Sequence, residues 1–411
     1  KEIKKLGVIV QKYGGTSVGS IDRIRNVAKK IAKTYEQGHK VAVVVSAMGG
    51  TTDQLVSMAH EITEKPDKRE LDVLLSTGEQ ITIALLTMCL HSMGYKAKSL
   101  LGHQAEVKTD SQAGSARILN VGKEKVTSLL NEGNIVVIAG FQGIDDQGNI
   151  TTLGRGGSDT SAVAVAAAIS ADMCEIYTDV DGIYTTDPNI CKKAKKMEKV
   201  SCDEMLEMAS LGAKVLQIRS VEFAKKYQVP LHVRSSFNEE EGTMVVNDDT
   251  DMEKVLVSGV TYNKNEARIT LKNVPDEPGI AARILTPVSD AGIVVDMIIQ
   301  NTRSTGLTDF TFTVPKTDFT DAMEVSQKIA AEIGASEVLG DPNISKVSVI
   351  GVGMKSHSGV ASKMFRALSD ENINIRMIST SEIRISCIIE EKYTELAVRA
   401  LHTEFGLDME E

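Results

Sequence analysis

From Lys1 to about Ser236 the chain alternates short β-branched runs with longer stretches of helical period. "LGVIVQ", "KVAVVVS", "NIVVIAG", "MCEIYTD" and "PLHVRSS" are apolar enough to be buried strands. Between the first two, "SIDRIRNVAKKIAKTYEQG" places Ile21, Ile24, Val27, Ala28, Ile31 and Tyr35 on one helical face. Ser20 can cap the start of that helix and Gly38 marks its stop. Strand-helix-strand alternation predicts an α/β fold, a three-layer αβα arrangement around a mainly parallel sheet. One stretch departs from the rhythm. "LGRGGSDTSAVAVAAAISAD", from Leu153, sets an arginine, glycines, a serine and an aspartate directly before a run of small apolar residues.

Around "SFNEEEGTMVVNDDTDMEK" the pattern turns acidic and polar, and a boundary is expected there, giving domains at 1–250, 251–340 and 341–411. Beyond it the chain repeats itself. "DEPGIAARILTPVSDAGIVVDMI" from Asp276 matches "SHSGVASKMFRALSDENINIRMI" from Ser356 at a constant offset of 80 residues. Each copy reads strand, loop, helix, strand, strand, helix, a small α+β unit. The second copy lacks a closing strand, and "KVLVSGVTY" (254–262), which precedes the first copy, is free to fill that slot. In that case the copies interleave.

Composition narrows the function. The 411 residues are 42% hydrophobic and 25% charged, with a net charge of −10, so there is no basic surplus for nucleic acid; a small anionic ligand at a local basic site is still allowed. Five scattered cysteines (Cys89, Cys174, Cys191, Cys202, Cys387) with no C-x-x-C pair point to a reducing cytoplasm rather than a disulfide framework. The apolar run near the N-terminus is too short for a signal peptide, and no apolar segment is expected to reach the length of a membrane span.

Ligands of open α/β sheets bind at the carboxyl ends of the strands. The polar motifs fall there. "KYGGTSVG" brings Lys12, Gly14, Gly15, Thr16 and Ser17; "AMGGTTDQL" and "GRGGSD" repeat the scheme of glycines, hydroxyls and a helix start. Glycines let backbone close on phosphate oxygens, and a helix N-terminus offers N–H donors. Each loop alone also reads as a tight turn with an ordinary cap. None is a Walker A loop, and "GVGMKS" near Gly351 lacks a dinucleotide loop's third glycine. "EIYTDVDGIYTTDPN" ends a strand with residues able to frame a nucleotide, or simply to make a series of β-turns. "LGAKVLQIRS" puts Lys214 at a helix start, where a cation opposes the dipole unless an anion joins it.

Together "QKYGGTSV", "VVVSAMGGTTDQL", "LLSTGEQ", "TTLGRGGSDTSA", "YTDVDGIYTTDPN" and "GAKVLQ" resemble, in that order, the motifs of the aspartate kinases. The resemblance covers nearly the whole chain and implies an amino-acid-kinase domain followed by two ACT domains of βαββαβ type. One departure is Ile218, where many relatives carry proline. The implied reaction is ATP plus L-aspartate giving ADP plus 4-phospho-L-aspartate, with Mg²⁺ on the phosphates and no protein metal site. The implied catalytic residues are Lys12, Arg155 and Asp159. Substrate contacts are implied at Thr52, Glu79, Arg155, Gly156, Gly157 and Ser158. Those to ATP are implied at Lys12, Tyr13, Gly14, Gly15, Ser46, Thr178, Asp179, Tyr184, Asp187, Pro188 and Lys214.

The ACT resemblance implies binding of lysine, threonine or both. In the first copy the contacts would be Asp276, Pro278, Gly279, Ile280, Ala281, Val295, Asp296 and Gln300. In the second they would be Met354, His357, Val360, Asn374, Ile375, Ser381 and Glu382. It also implies a homo-oligomer through these domains, or an α2β2 assembly if a short subunit starts internally at Met252. Three alternatives stand beside this reading: a kinase of acetylglutamate or glutamate, a non-catalytic amino-acid sensor, and a bifunctional enzyme with homoserine dehydrogenase. The end at Glu411 is expected to leave no room for the last.

Overall fold

The computed structural model describes residues 7–212, 215–247, 256–302 and 306–409, in two compact units. The first comprises residues up to 183 with 196–210 and 214–251; the second takes 184–195, 211–213 and 252 onward.

The first unit opens with β1 (Val8–Tyr13), α1 (Ile21–Glu36), β2 (Lys40–Val45), α2 (Thr51–Ile62), α3 (Lys68–Ser92) and β3 (Ala97–Leu100). Then come β4 (Val107–Thr109), β5 (Ile118–Val121), α4 (Glu124–Asn131), β6 (Ile135–Ala139), β7 (Gln142–Ile144) and β8 (Ile150–Thr152). It closes with α5 (Gly157–Ala168), β9 (Met173–Thr178), β10 (Lys199–Ser201), α6 (Cys202–Ser210), α7 (Ile218–Tyr227), β11 (Leu231–Ser235) and β12 (Thr243–Val246). Eight strands form one sheet in the order β10-β12-β11-β9-β1-β2-β6-β3, parallel except between β11 and β12. A small second sheet, β5-β4-β7-β8, stands beside it.

The apolar runs explain the layering. Val41, Val43 and Val45 of β2 meet Ile24, Val27, Ala28 and Ile31 of α1 in one core. Ile21, assigned to that helical face by its spacing, is 47% exposed instead, because it sits at the first position of α1, short of the sheet. The small-apolar helix α5 is buried continuously from Gly157 to Ala166, as expected of a helix apolar all round. By contrast, α3 corrects the expectation that no segment reaches membrane-span length. It is long and apolar enough to cross a membrane by length and composition, since interspersed Ser, Thr and Gly break the run without making it polar. Half of that stretch is buried within the protein, and Asp72, Ser76 and Glu79 are among its buried residues.

The second unit contains β13 (Gly259–Pro275), α8 (Ile280–Asp290), β14 (Ile298–Thr302), β15 (Leu307–Val314), α9 (Phe319–Ile333) and β16 (Glu337–Ile350). After these follow α10 (Val360–Asp370), β17 (Met377–Thr380), β18 (Arg384–Glu390) and α11 (Thr394–Glu404). Its antiparallel sheet runs β14-β15-β13-β16-β18-β17. The long strand β13 serves both repeats. Residues 267–271 pair with β15, whereas 259–263 pair with residues 346–350 of β16, the opening strand of the second copy. Two cores result: α8 and α9 over one half, with Phe310 and Phe312, and α10 and α11 over the other, with Val260, Val347 and Val349. The matched glycines Gly279 and Gly359 precede α8 and α10 at φ +92° and +99°.

Candidate active site

The three glycine loops leave the ends of β1, β2 and β8; the backbones of the first two interlock, and an ion pair ties the third to the first. Ser46 N–H donates to the Tyr13 carbonyl at 3.0 Å, and Gly49 N–H to that of Gly15 at 3.0 Å. Lys12 lies near the end of β1. Its ammonium meets the Asp159 carboxylate, in the first turn of α5, at 2.6 Å, with both side chains only 11% exposed. Strand alternation turns Gln11 and Tyr13 to the opposite face. The Tyr13 ring is fully buried there, stacked on Tyr177 with centroids 4.6 Å apart, so only the Tyr13 backbone can serve a ligand.

The third loop is shaped by close approach. Gly156 caps α5 at φ +67°, and a Cβ there would lie 1.8 Å from Gln217 Cγ, so neither strain nor space admits another residue. Ser158 is 7% exposed and packs so closely on the end of β6 that a Cβ on Gly140 would fall 2.8 Å from its Oγ. Arg155 projects as an exposed guanidinium without a hydrogen-bond or ion-pair partner among the described residues. Thr52 sits in the first turn of α2, half-buried.

Glu79, from α3, points at the second loop. Its Oε1 accepts the Ala47 N–H at 2.9 Å, and its buried Oε2 has no hydrogen-bond partner among the described residues. Burial pushes its pKa up to about 7, opposed by that N–H bond. A desolvated carboxylate with one oxygen unused is a receptor for a cation.

At the end of β9, Thr178 Oγ1 donates to the exposed Asp179 carboxylate at 3.1 Å. The Thr178 carbonyl accepts Ser236 N–H at 2.9 Å, and the Ser236 and Ser17 hydroxyls meet at 2.5 Å. Tyr184, Asp187 and Pro188 belong to the segment 184–195 of the second unit. There Asp187 accepts from Tyr262 Oη and from Asn189 N–H, each at 2.9 Å. Lys214 lies outside the described residues. No group of three or more His, Cys, Asp or Glu able to hold a metal ion occurs among the described residues.

In the second unit Asp276, Pro278 and Gly279 are exposed ahead of α8, with Ile280 buried and Ala281 half-buried at its start. Asp296 is ion-paired to Lys346, which also holds Glu266 at 2.9 Å. Sequence reasoning missed Lys346 and Glu266. Glu266 stands among polar neighbours on β13, so it gives no local signal, and Lys346 shows only as a lysine just before the apolar end of β16. Val295 is half-buried and Gln300 exposed on β14. In the second copy Met354 and Val360 are buried, and the exposed His357 bonds the Gly353 carbonyl at 2.8 Å. Asn374, Ser381 and Glu382 are exposed, and Ile375 is half-buried.

Residues 7–235 match the amino acid kinase family, and residues 268–334 and 347–405 each match the ACT domain. The chain is 57% identical over 404 residues to an aspartate kinase of Stutzerimonas stutzeri, covering 98% of both. It belongs to the aspartate kinase family. An aspartokinase of Pseudomonas aeruginosa is 56% identical over 405 residues, again across 98% of both chains. Among solved structures, Escherichia coli aspartokinase III in complex with aspartate and ADP is similar at a TM-score of 0.78 and 26% identity, covering 97% of this chain and 99% of that one. The fold is thus that of the aspartate kinases, with ACT domains following the kinase domain.

Proposed function

We propose that the three-loop site moves the γ-phosphoryl group of ATP onto the side-chain carboxylate of L-aspartate. Such a carboxylate has an ordinary pKa near ~3.9 and is already ionised at neutral pH, so the nucleophile needs no general base. Catalysis then rests on positioning and on neutralising charge at the transferring group. Lys12 supplies that charge, and Asp159 holds its ammonium at the mouth of the loops. Gly14 and Gly15 give backbone access to phosphate oxygens. Arg155 grips the substrate α-carboxylate with its two-pronged guanidinium. The unused oxygen of Glu79 takes the α-ammonium, and Thr52 and Ser158, beside Gly156 and Gly157, orient the reacting carboxylate. Ser46, the Tyr13 backbone, Thr178 and Asp179 serve the nucleotide. Mg²⁺ enters as part of the MgATP substrate, ligated by phosphates and water.

The observation that carries this reading is the buried 2.6 Å Lys12–Asp159 pair at the start of α5, where loop backbones converge. Hydroxamate formation from ATP, Mg²⁺ and L-aspartate is expected, and glutamate and acetylglutamate should be inert. Silence with all three acceptors would overturn the assignment.

For the repeats we propose feedback control by lysine, threonine or the pair, bound around Asp276–Ala281, Asp296 and Gln300 and their counterparts in the second copy. A homo-oligomer through these domains accompanies it. An α2β2 form with a subunit starting at Met252, which lies outside the described residues, would show as a second, short band on denaturing gels of native protein.

A further inference from the structure

Two side chains outside the set named above grip one piece of backbone from two different helices. Asp72, in α3, is 1% exposed. Its Oδ1 accepts Thr152 Oγ1–H at 2.6 Å and Gly114 N–H at 3.1 Å; its Oδ2 accepts Thr152 N–H and Gly114 N–H, each at 3.0 Å. Arg219, in α7, donates from Nη1 to the Leu153 carbonyl at 2.7 Å and from Nη2 to the Ala116 carbonyl at 3.0 Å. Each side chain therefore spans the same two segments, 114–116 and 152–153. The Ala116 N–H closes the frame by donating to the Thr152 carbonyl at 2.9 Å. The division of labour is chemical: the carboxylate collects donors and the guanidinium collects acceptors.

We propose that Asp72 and Arg219 are positioning residues that fix where Arg155 and Ser158 stand and so set the affinity for aspartate, a proposal that rests on the reading of Arg155 given above. Leu153 is joined to Arg155 through Gly154 alone, and α5 begins at Gly157. The Arg155 side chain has no partner among the described residues to hold it, so its place is dictated by the backbone beneath. At the end of β8 the Leu153 N–H still reaches the Phe141 carbonyl at 2.9 Å, but the Thr152 N–H and the Leu153 carbonyl are taken by the two charged side chains. Charged partners make the stronger hydrogen bonds for such groups. Asp72 also lacks a counter-cation among the described residues, so its buried charge is balanced by loop donors alone. Loosening this frame shifts the substrate grip, and small misplacements of a binding group are expensive in rate.

The test is steady-state kinetics in both substrates, with thermal melting, on Asp72→Asn, Arg219→Lys, Thr152→Ser and Arg155→Ala. Asp72→Asn turns an NH2 toward groups that are already donors, and a lysine at 219 cannot reach both carbonyls. Both variants should raise the aspartate KM about tenfold while the ATP KM stays within about twofold. Thr152→Ser keeps the hydroxyl and should match the wild type. A purely structural role would lower the melting temperature and the active fraction but move neither KM. An unchanged aspartate KM in folded Arg219→Lys therefore overturns the proposal, and that half-buried site decides alone if Asp72→Asn does not fold. Arg155→Ala keeps the two readings apart. If it raises the aspartate KM and the other variants do not, only the positioning proposal fails; if it too leaves KM unchanged, the reading of Arg155 has failed.

Discussion

Both units bury a lysine against carboxylates, and the two arrangements differ in charge. Among the described residues Lys12 faces one carboxylate, Asp159, in the first turn of a helix four residues after Arg155, whose exposed guanidinium has no partner among them. Once the pair cancels, what remains is positive, and an anion completes it. Lys346, 4% exposed, faces two carboxylates, Glu266 and Asp296. Burial pushes the Glu266 pKa up and Lys346 opposes that, so with both carboxylates ionised the cluster is one negative charge in excess. It suits an added ammonium. The lesson is that a buried lysine does not fix the sign of a site; the number of carboxylates around it does.

The sharpest way to break this comparison is Lys12→Met. With the cation gone, Asp159 stands uncompensated beside the place where phosphoryl charge must develop. The expected outcome is a fall in kcat of about 1000-fold or more, on the order of 4 kcal/mol in the barrier, with the fold intact by circular dichroism. A loss of less than about tenfold would remove Lys12 from the chemistry. Lys346→Met comes next. It leaves Glu266 and Asp296 as like charges, one deeply buried, and should cost on the order of 3 kcal/mol in stability, somewhat less in so far as Asp296 is 40% exposed. Basal kcat should be unchanged in denaturant-titrated, fully folded samples. A variant as stable as the wild type would mean that Lys346 is no counter-ion at all.

What could be read in advance depended on distance along the chain. The parallel strands were legible because "KVAVVVS" and "NIVVIAG" are continuous apolar runs, and the three loops because each sits between a strand and a helix start. Gly156 and Ser158 could be named from one five-residue cluster. Asp72 and Arg219 could not, since their partners lie 42 and 80 residues away for Asp72 and 103 and 66 for Arg219, where no local period reaches. Lys346 was hidden for a related reason: alternation in "ISKVSVI" shows that it shares a face with Ile344 and Ser348, but not which element will cover that face. Ile21 marks the reverse failure, a residue with the right period at a helix end that the core does not reach.

Glu79 offers a middle-sized test of the anionic side of the comparison, because burial pushes its pKa up to about 7. Only its ionised form attracts an ammonium. Below about pH 7 the site must first lose a proton, so the aspartate KM should rise as pH falls from 8 to 6, approaching tenfold per pH unit at the acid end. Glu79→Gln removes both the charge and the titration. Its KM should be about 10- to 100-fold higher and flat over the same range. A pH-dependent KM that survives in Glu79→Gln would assign the titration elsewhere.

The smallest expected effect belongs to Asp296→Asn, and it separates packing from recognition in the second unit. Asp296 is 40% exposed, and Glu266 still neutralises Lys346 when it is gone, so the melting temperature should move by no more than a degree or two, under about 1 kcal/mol. Basal kinetics should stay at the wild-type level. The change instead converts a cluster with a surplus negative charge into a balanced pair. An effector ammonium loses the carboxylate it would share with Lys346, and inhibition by lysine, threonine or their mixture should need about fivefold more effector, close to 1 kcal/mol. Unaltered inhibition would place the effector elsewhere in the repeats and reduce the Lys346 cluster to a structural tie between β13, β16 and the approach to β14.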